Sequence, residues 1–348
     1  MPATDKIDID LYSDTQSKPS KAMRAAMVAA EVGDEQQGRD PTVTQLIERV
    51  ADLMGKEDAL FLPSGTMCNQ IALLVHCRPG DEVLSDKTSH LIHSEGGGAS
   101  ALAGVMMRGL DGTRGVFTGA QVEAAIRPDT NSAPRTSLVE IEQTANLGGG
   151  SVWPLAAIKD VAAAAKKRNL VLHMDGARLM NAVVASGTPA KDFAKDMDTV
   201  WLDLTKGLGC PFGAVLAGPK PFVKEAWRWK QRMGGAMRQA GIMAAAGLYA
   251  LDHNIDRLAE DHANARALAK GLADVPGIKV EPAETNIVFL DISGTGIKAR
   301  DFNQGLARHG VRLSIFSDTR MRALTHLDIP AAAIPKAVDA IRRVAMRN

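Results

Sequence analysis

Lys206 closes an apolar run just before a glycine-rich turn, Asp203-Leu204-Thr205-Lys206-Gly207-Leu208-Gly209, where it would present a primary amine at a strand end. Alone, such a lysine reads as a surface charge. Asp175, in His173-Met174-Asp175-Gly176-Ala177-Arg178, stands in the matching place after an earlier apolar run. That is the carboxyl edge of a strand, where open α/β sheets bind ligands. A third group is Pro63-Ser64-Gly65-Thr66, between the run Ala-Leu-Phe-Leu and a helical stretch. Glycine permits the tight turn, and a helix start offers free N–H groups to an anion such as phosphate. The same hydroxyls would equally serve as an N-cap. In combination, an anion cup, a strand-end acid and a glycine-flanked lysine are the parts pyridoxal phosphate needs. It needs an anion site, an acid to keep its ring nitrogen protonated, and an amine for a Schiff base.

These groups require a sheet with parallel strands to bring them to one edge. Short Val-, Ile- and Leu-rich runs at Ala59–Leu62, Glu82–Ser85, Ser137–Ile141, Leu170–Met174, Val200–Leu204 and Gly213–Ala217 alternate with Ala-rich helical stretches. Most lack clean period-2 alternation, as strands covered on both faces do. Leu155–Asn169 reads as a helix, so strand, helix and strand form a βαβ unit. Near Asp252 the pattern changes. A charged helix over Ile255–Ala273 leads to Gly-Ile-Lys-Val-Glu-Pro-Ala-Glu-Thr-Asn-Ile-Val-Phe-Leu-Asp-Ile, which alternates like exposed antiparallel strands. A helix near Arg300–His309, further short runs and a terminal helix from Ile334 follow. The expected organisation is an arm over residues 1–20 that needs another surface to order it, a large unit over 21–251 and a small α+β unit over 252–348.

Composition narrows the classes. The 348 residues are 45% hydrophobic, with Lys+Arg 41 against Asp+Glu 40, so neither a disordered chain nor a small stapled module fits. A net charge of +1 gives no general pull toward nucleic acid or anionic lipid. Cys68, Cys77 and Cys210 form no C-x-x-C pair, the polar N-terminus lacks a signal-peptide pattern, and no long apolar span occurs. A cytoplasmic protein without membrane or nucleic-acid partners is expected.

The segments LYSDT, GRDPTV, LPSGTMCNQIALL, SHLIHSEGGGA, HMDGARLMNA, LTKGLGCPFGAVLAG, GGAMRQAGIMAAAGLYAL and RALTHLD, in that order, resemble the L-threonine aldolase family of fold-type I pyridoxal-phosphate enzymes. The resemblance implies an α/β, aspartate-aminotransferase-like fold and reversible cleavage of a β-hydroxy-α-amino acid to glycine and an aldehyde. It implies that Lys206 forms the Schiff base and Asp175 pairs with the ring nitrogen. Ser64, Gly65 and Thr66 would hold the phosphate. His90 would stack on the ring and reach the substrate hydroxyl. Ser13, Arg178 and Arg322 would clamp the substrate carboxylate, a task suited to arginine's planar fork. Arg238 would approach the phosphate of a neighbouring subunit in a dimer or tetramer with shared sites. Plain structural or surface roles remain the alternatives for His90, Arg322 and Arg238.

The chain departs from the family pattern at Tyr12, where arginine is usual, at Gln36-Gln37, and at Ala145, where a second histidine usually stands beside the substrate hydroxyl. The smaller Ala145 is expected to admit bulkier β-substituents or to relax threo/erythro discrimination. His90 and His93 with Glu95 could suggest a metal, but none is expected, since the two histidines lack helical i, i+4 ligand spacing and no third ligand is evident. His76, His253, His262 and His309 read as structural or exposed. A β-eliminating lyase or racemase on the same scaffold competes within enzymes, and a non-catalytic cofactor-binding or scaffolding protein competes from outside them.

Overall fold

A computed structural model describes residues 6–346. Its strands are β1 (Ile9–Leu11), β2 (Asp58–Leu62), β3 (Glu82–Asp86), β4 (Met106–Leu110), β5 (Thr136–Glu142), β6 (Val171–Asp175), β7 (Thr199–Asp203), β8 (Ala214–Gly218), β9 (Lys279–Val280), β10 (Ile287–Asp291), β11 (Val311–Ile315) and β12 (Arg320–Leu324). The larger sheet runs β2-β8-β7-β6-β5-β3-β4, with β8 alone antiparallel to its neighbours. The fold is α/β, with a mostly parallel central sheet. All six strands expected in this region occur within one residue of their expected ends. β4 was not anticipated: it is a sheet edge with Met106 exposed, and Arg108 and Gly109 break the apolar run that marks its covered neighbours.

Strand order explains where a ligand can enter. The chain leaves β3 for β4 on one side and returns to β5 on the other. This reversal opens a crevice at the carboxyl ends of β3 and β5. Ser64 follows β2, His90 follows β3, Glu142 ends β5, Asp175 ends β6 and Lys206 follows β7, so all five reach the same edge. Helix Gly65–His76 covers the sheet and buries Cys68, Ile71, Ala72 and Leu73. Close packing there tolerates little bulk. A Cβ on Gly176 would lie 1.8 Å from the Trp201 carbonyl oxygen, so the turn after β6 can press against β7 only as glycine.

The smaller sheet runs β1-β11-β12-β10-β9 and packs against helices Leu258–Leu272, Ala299–Ala307 and Ala333–Ala345. β10 is a correction: it lies inside the sheet and is buried on both faces, not exposed. Val288 and Leu290 join the helical core, while Ile287 and Phe289 pack with Leu324 and Leu147. The surface that orders the arm is the chain's own small sheet, since β1 pairs in parallel with β11 and buries Leu11. Residues 1–5 of the expected arm lie outside the described residues.

An ion pair anchors the loop after the first helix. Lys230, on helix Lys220–Arg232, is fully buried and bonds Glu35, which also accepts the Met237 N–H at 3.0 Å. Burial pushes the Lys230 amine down from its usual range, against the pull of Glu35. Removing one partner strands the other charge in a dry interior. Glu35→Leu should therefore cost about 3–5 kcal/mol in denaturant unfolding. The double variant Glu35→Leu, Lys230→Met should regain most of that loss; a double variant no more stable than the single one would show that the buried charge is not the cause.

Candidate active site

A cavity of about 560 Å³ opens at the carboxyl edge of the large sheet and is roofed by the small lobe. Among the sequence-predicted residues, it gathers Ser13, Ser64, Gly65, Thr66, His90, Asp175, Arg178, Lys206 and Arg322. Arg238 is not among them. Its side chain is largely exposed and pairs with Asp34 at 3.1 Å.

Asp175 is 1% exposed, which pushes its carboxyl above the usual range; His90, Lys206 and the Asn69 amide pull the other way. Its Oδ1 accepts the Ala177 N–H at 2.9 Å, and its Oδ2 accepts from Asn69 Nδ2 at 2.8 Å. The same Nδ2 donates to Glu95 Oε1 at 2.7 Å, and that oxygen lies 2.9 Å from His90 Nδ1. Burial tends to keep His90 neutral. The Glu95 hydrogen bond and the surrounding carboxylates outweigh it and raise His90 above its ordinary 6.5.

Lys206 Nζ lies 2.5 Å from Asp203 Oδ2, while Asp203 Oδ1 accepts from the Thr205 N–H and hydroxyl. The indole of Trp201 covers the start of helix Gly65–His76, and a Cβ on Gly65 would stand 2.2 Å from its ring. The helix start can thus offer backbone N–H groups to an anion only while residue 65 has no side chain. Ser64 also performs the capping role, accepting the Met67 N–H at 3.2 Å.

The two arginines differ in availability. Arg178 is buried and spends Nε and Nη2 on Asp14, at 2.7 and 2.8 Å. Burial alone would keep Asp14 neutral, but Arg178 holds its carboxyl well below the usual range. Arg322, on β12, donates Nη1 to Asn146 Oδ1 at 2.5 Å, while its Nε is buried with no partner. Burial first, then the charge of Arg178, lowers it to about 10. An unsatisfied buried donor of this kind is costly and fits an absent anionic ligand.

Ala145 is buried with its methyl group against Gly115 and Gly148, while its neighbours Glu142 and Asn146 line the cavity. One expectation needs correction: a further potential metal ligand does stand beside His90 and Glu95, since Asp175 offers an oxygen within 4.8 Å of both. Every carboxylate oxygen of Glu95 and Asp175 already accepts a hydrogen bond, including Glu95 Oε2 from Gln70.

Sequence reasoning missed Asp14, Asn69, Glu142, Asn146, Trp201 and Asp203, and weighed Glu95 only as a metal ligand. Asn69 and Gln70 carried a usable signal, because two adjacent amides interrupt an otherwise apolar helix face. Glu142 accepts the N–H groups of His90 and Asn146 at 2.8 and 2.5 Å. Burial, then the charge of Asp175, raises it to about 7. Glu140 lies behind it and is pushed well above the usual carboxylate range by burial and by Glu142.

Comparison with known proteins agrees with this geometry. A family model described as beta-eliminating lyase matches residues 10–295. A low specificity L-threonine aldolase of Escherichia coli O157:H7 is 41% identical over 92% of this chain and 94% of its own length. Low-specificity L-threonine aldolase 1 of Arabidopsis thaliana is 39% identical over 94% and 93%. The structure of a threonine aldolase from Leishmania major superposes with a TM-score of 0.82 at 21% identity, covering 97% of this chain and 99% of that one, a likeness of fold. A family match over most of the chain, a shared fold and relatives of this identity place the protein: it belongs to the beta-eliminating lyase family, with low-specificity L-threonine aldolases among its relatives.

Proposed function

We propose that the chain is a pyridoxal-phosphate-dependent aldehyde-lyase that reversibly cleaves L-threonine, L-allo-threonine or a related β-hydroxy-α-amino acid to glycine and an aldehyde. The observation that carries this reading is the meeting of Lys206, Asp175 and Arg322 in one cavity. The residues fit the cofactor: an amine beside a buried acid, and a helix start cleared of side chains beneath Trp201. When bound, pyridoxal phosphate supplies an electron sink for the pair released as the Cα–Cβ bond breaks.

The chain's own groups would do the rest. Lys206 Nζ would hold the cofactor's carbonyl carbon, and Asp175 would keep a proton on the ring nitrogen. The N–H groups at Gly65 and Thr66, with the Ser64 and Thr66 hydroxyls, would bind the phosphate. Arg322 would receive the substrate carboxylate through its guanidinium, with Ser13 and Arg178 completing the clamp. Asp14 positions Arg178 beside it. His90 uses Nδ1 on Glu95 and keeps Nε2 to take the β-hydroxyl proton. Glu142, bound to the His90 backbone, is the second acid–base group within reach.

The proposed setting is a reducing cytoplasm, supported by three free, buried cysteines. No helix among the described residues is long and apolar enough to cross a membrane. A homo-oligomer with shared sites, dimer or tetramer, is supported by exposed Val28, Val32 and Ile242 and by Arg238 standing away from its own chain's cavity.

Purified protein supplied with L-threonine, L-allo-threonine or L-phenylserine should release glycine and the matching aldehyde, and should sediment above 36.9 kDa. A band near roughly 420 nm, part of the cofactor's own chemistry, should be lost in Lys206→Ala. Ammonia and an oxo acid without glycine would overturn the aldolase reading, and a colourless protein that cannot be reconstituted would overturn the cofactor.

Neutral His90 is the active base, so kcat/KM for cleavage should fall as pH drops through a value above 6.5. Glu95→Gln removes the charge that favours the imidazolium and should move this acid limb to lower pH; an unmoved limb would exclude His90 as its origin. Arg322→Lys should lower kcat/KM by roughly a hundredfold, because a point charge cannot replace the guanidinium fork at a buried carboxylate. Cofactor affinity should stay near wild type, and an equal loss of both would remove Arg322 from substrate binding.

A further inference from the structure

A line of hydrogen bonds crosses the large unit from the far side of the sheet to Asp175. His76 Nε2 lies 3.2 Å from Thr199 Oγ1, which lies 2.8 Å from His173 Nδ1. His173 Nε2 lies 3.1 Å from Asn69 Oδ1, and Asn69 Nδ2 reaches both Asp175 and Glu95. His173, Thr199 and Asn69 are fully buried, and His173 faces Thr199 in the β6–β7 register. The outer end, His76, is half-buried with its ring stacked on Phe222 at 4.7 Å.

Donor and acceptor roles along this line can be assigned without ambiguity. Asn69 must turn its NH₂ toward the two carboxylates, which leaves Oδ1 to face the Trp201 indole N–H at 2.7 Å and His173 Nε2. His173 therefore carries its proton on Nε2. Burial keeps this imidazole neutral, lowering it to about 3, so Nδ1 is bare and accepts the Thr199 hydroxyl. The Thr199 oxygen in turn accepts from His76 Nε2–H. Every bond points the same way, and aligned hydrogen bonds polarise one another. An amide does not readily pass a proton, so the line transmits orientation and polarisation.

We propose that His173, with its Nε2–H facing Asn69 and its Nδ1 held by the Thr199–His76 pair, is a positioning residue that locks the Asn69 amide against Asp175 and Glu95. Through that single amide it fixes the carboxylate proposed to face the cofactor's ring nitrogen and the carboxylate that holds His90. The inference rests on the functional reading above for its consequence, though not for its geometry. Trp201 gives Asn69 a second donor, so losing His173 loosens the amide without freeing it completely.

Two readouts test this. In the cofactor-free full chain, side-chain ¹⁵N spectra of the histidines should show His173 and His76 in the Nε2–H form at neutral pH. Thr199→Val, nearly isosteric, removes the hydroxyl that donates to Nδ1 and should shift the His173 Nδ1 resonance toward that of an unbonded imidazole nitrogen, while the Asn69 carbonyl keeps the proton on Nε2. In reconstitution titrations, His173→Phe should weaken pyridoxal phosphate binding up to roughly tenfold, the upper end of what one neutral hydrogen bond contributes. His173→Gln keeps an N–H toward Asn69 and should restore much of the affinity. The proposal is overturned if wild-type His173 carries its proton on Nδ1, or if folded His173→Phe binds the cofactor like wild type. Should His173→Phe fail to fold, Thr199→Val decides: an unchanged Nδ1 resonance with unchanged affinity overturns the proposal. A wild type that binds no pyridoxal phosphate overturns the functional reading and the role given to this line, whereas the tautomers judge the geometry independently.

Discussion

In the role proposed for it Asp175 must remain an anion, although almost none of it touches water. Withdrawing a carboxylate from solvent favours the neutral acid, and here Glu95, Glu140 and Glu142 crowd the same region. The surrounding structure is arranged around that problem. Two N–H groups donate to Asp175, His90 and Lys206 add positive charge, and the competing acids are supplied with donors of their own. Glu142 takes two backbone N–H groups, Glu95 takes two side-chain amides and His90, and Glu140 takes the Ser89 hydroxyl.

This demand reaches into the fold. Asn69 can serve Asp175 only because helix Gly65–His76 lies close over β6 and β7, and that closeness depends on Gly65 and Gly176 making way for Trp201. The indole therefore has three jobs at once. It fills the space above the helix start, donates to Asn69 and forms a wall of the cavity next to Lys206. Packing and electrostatics share the same atoms here, so neither can be altered alone.

Much of this was legible in the sequence. Covered parallel strands show as uninterrupted apolar runs, so the sheet and its end residues could be read directly, and Lys206, Asp175 and Ser64 stood out by position. Asn69, Asp14 and Glu95 did not, because their importance lies in partners distant along the chain: Asp14 meets Arg178 and Asn69 meets Asp175 only after folding. The edge strand β4 and the doubly buried β10 were misjudged for a related reason, since local alternation reports exposure only where tertiary neighbours are already known. Ala145 shows the same limit at one residue. Its identity was evident, but which way its methyl group turns depends on Gly115 and Gly148.

The N-terminal segment acquires a mechanical meaning from its two attachments. β1 is stitched to the small sheet, and three residues later Asp14 is clamped by Arg178 of the large unit, with Ser17 bonding the Lys206 carbonyl at 2.9 Å. Any drift of the small lobe away from the sheet would stretch this strap and unpair Arg178 in a dry setting. The strap thus acts as a tension gauge between the bodies that carry Arg178 and Arg322, making the spacing of those two cations a property of the segment from Ile9 to Ser17.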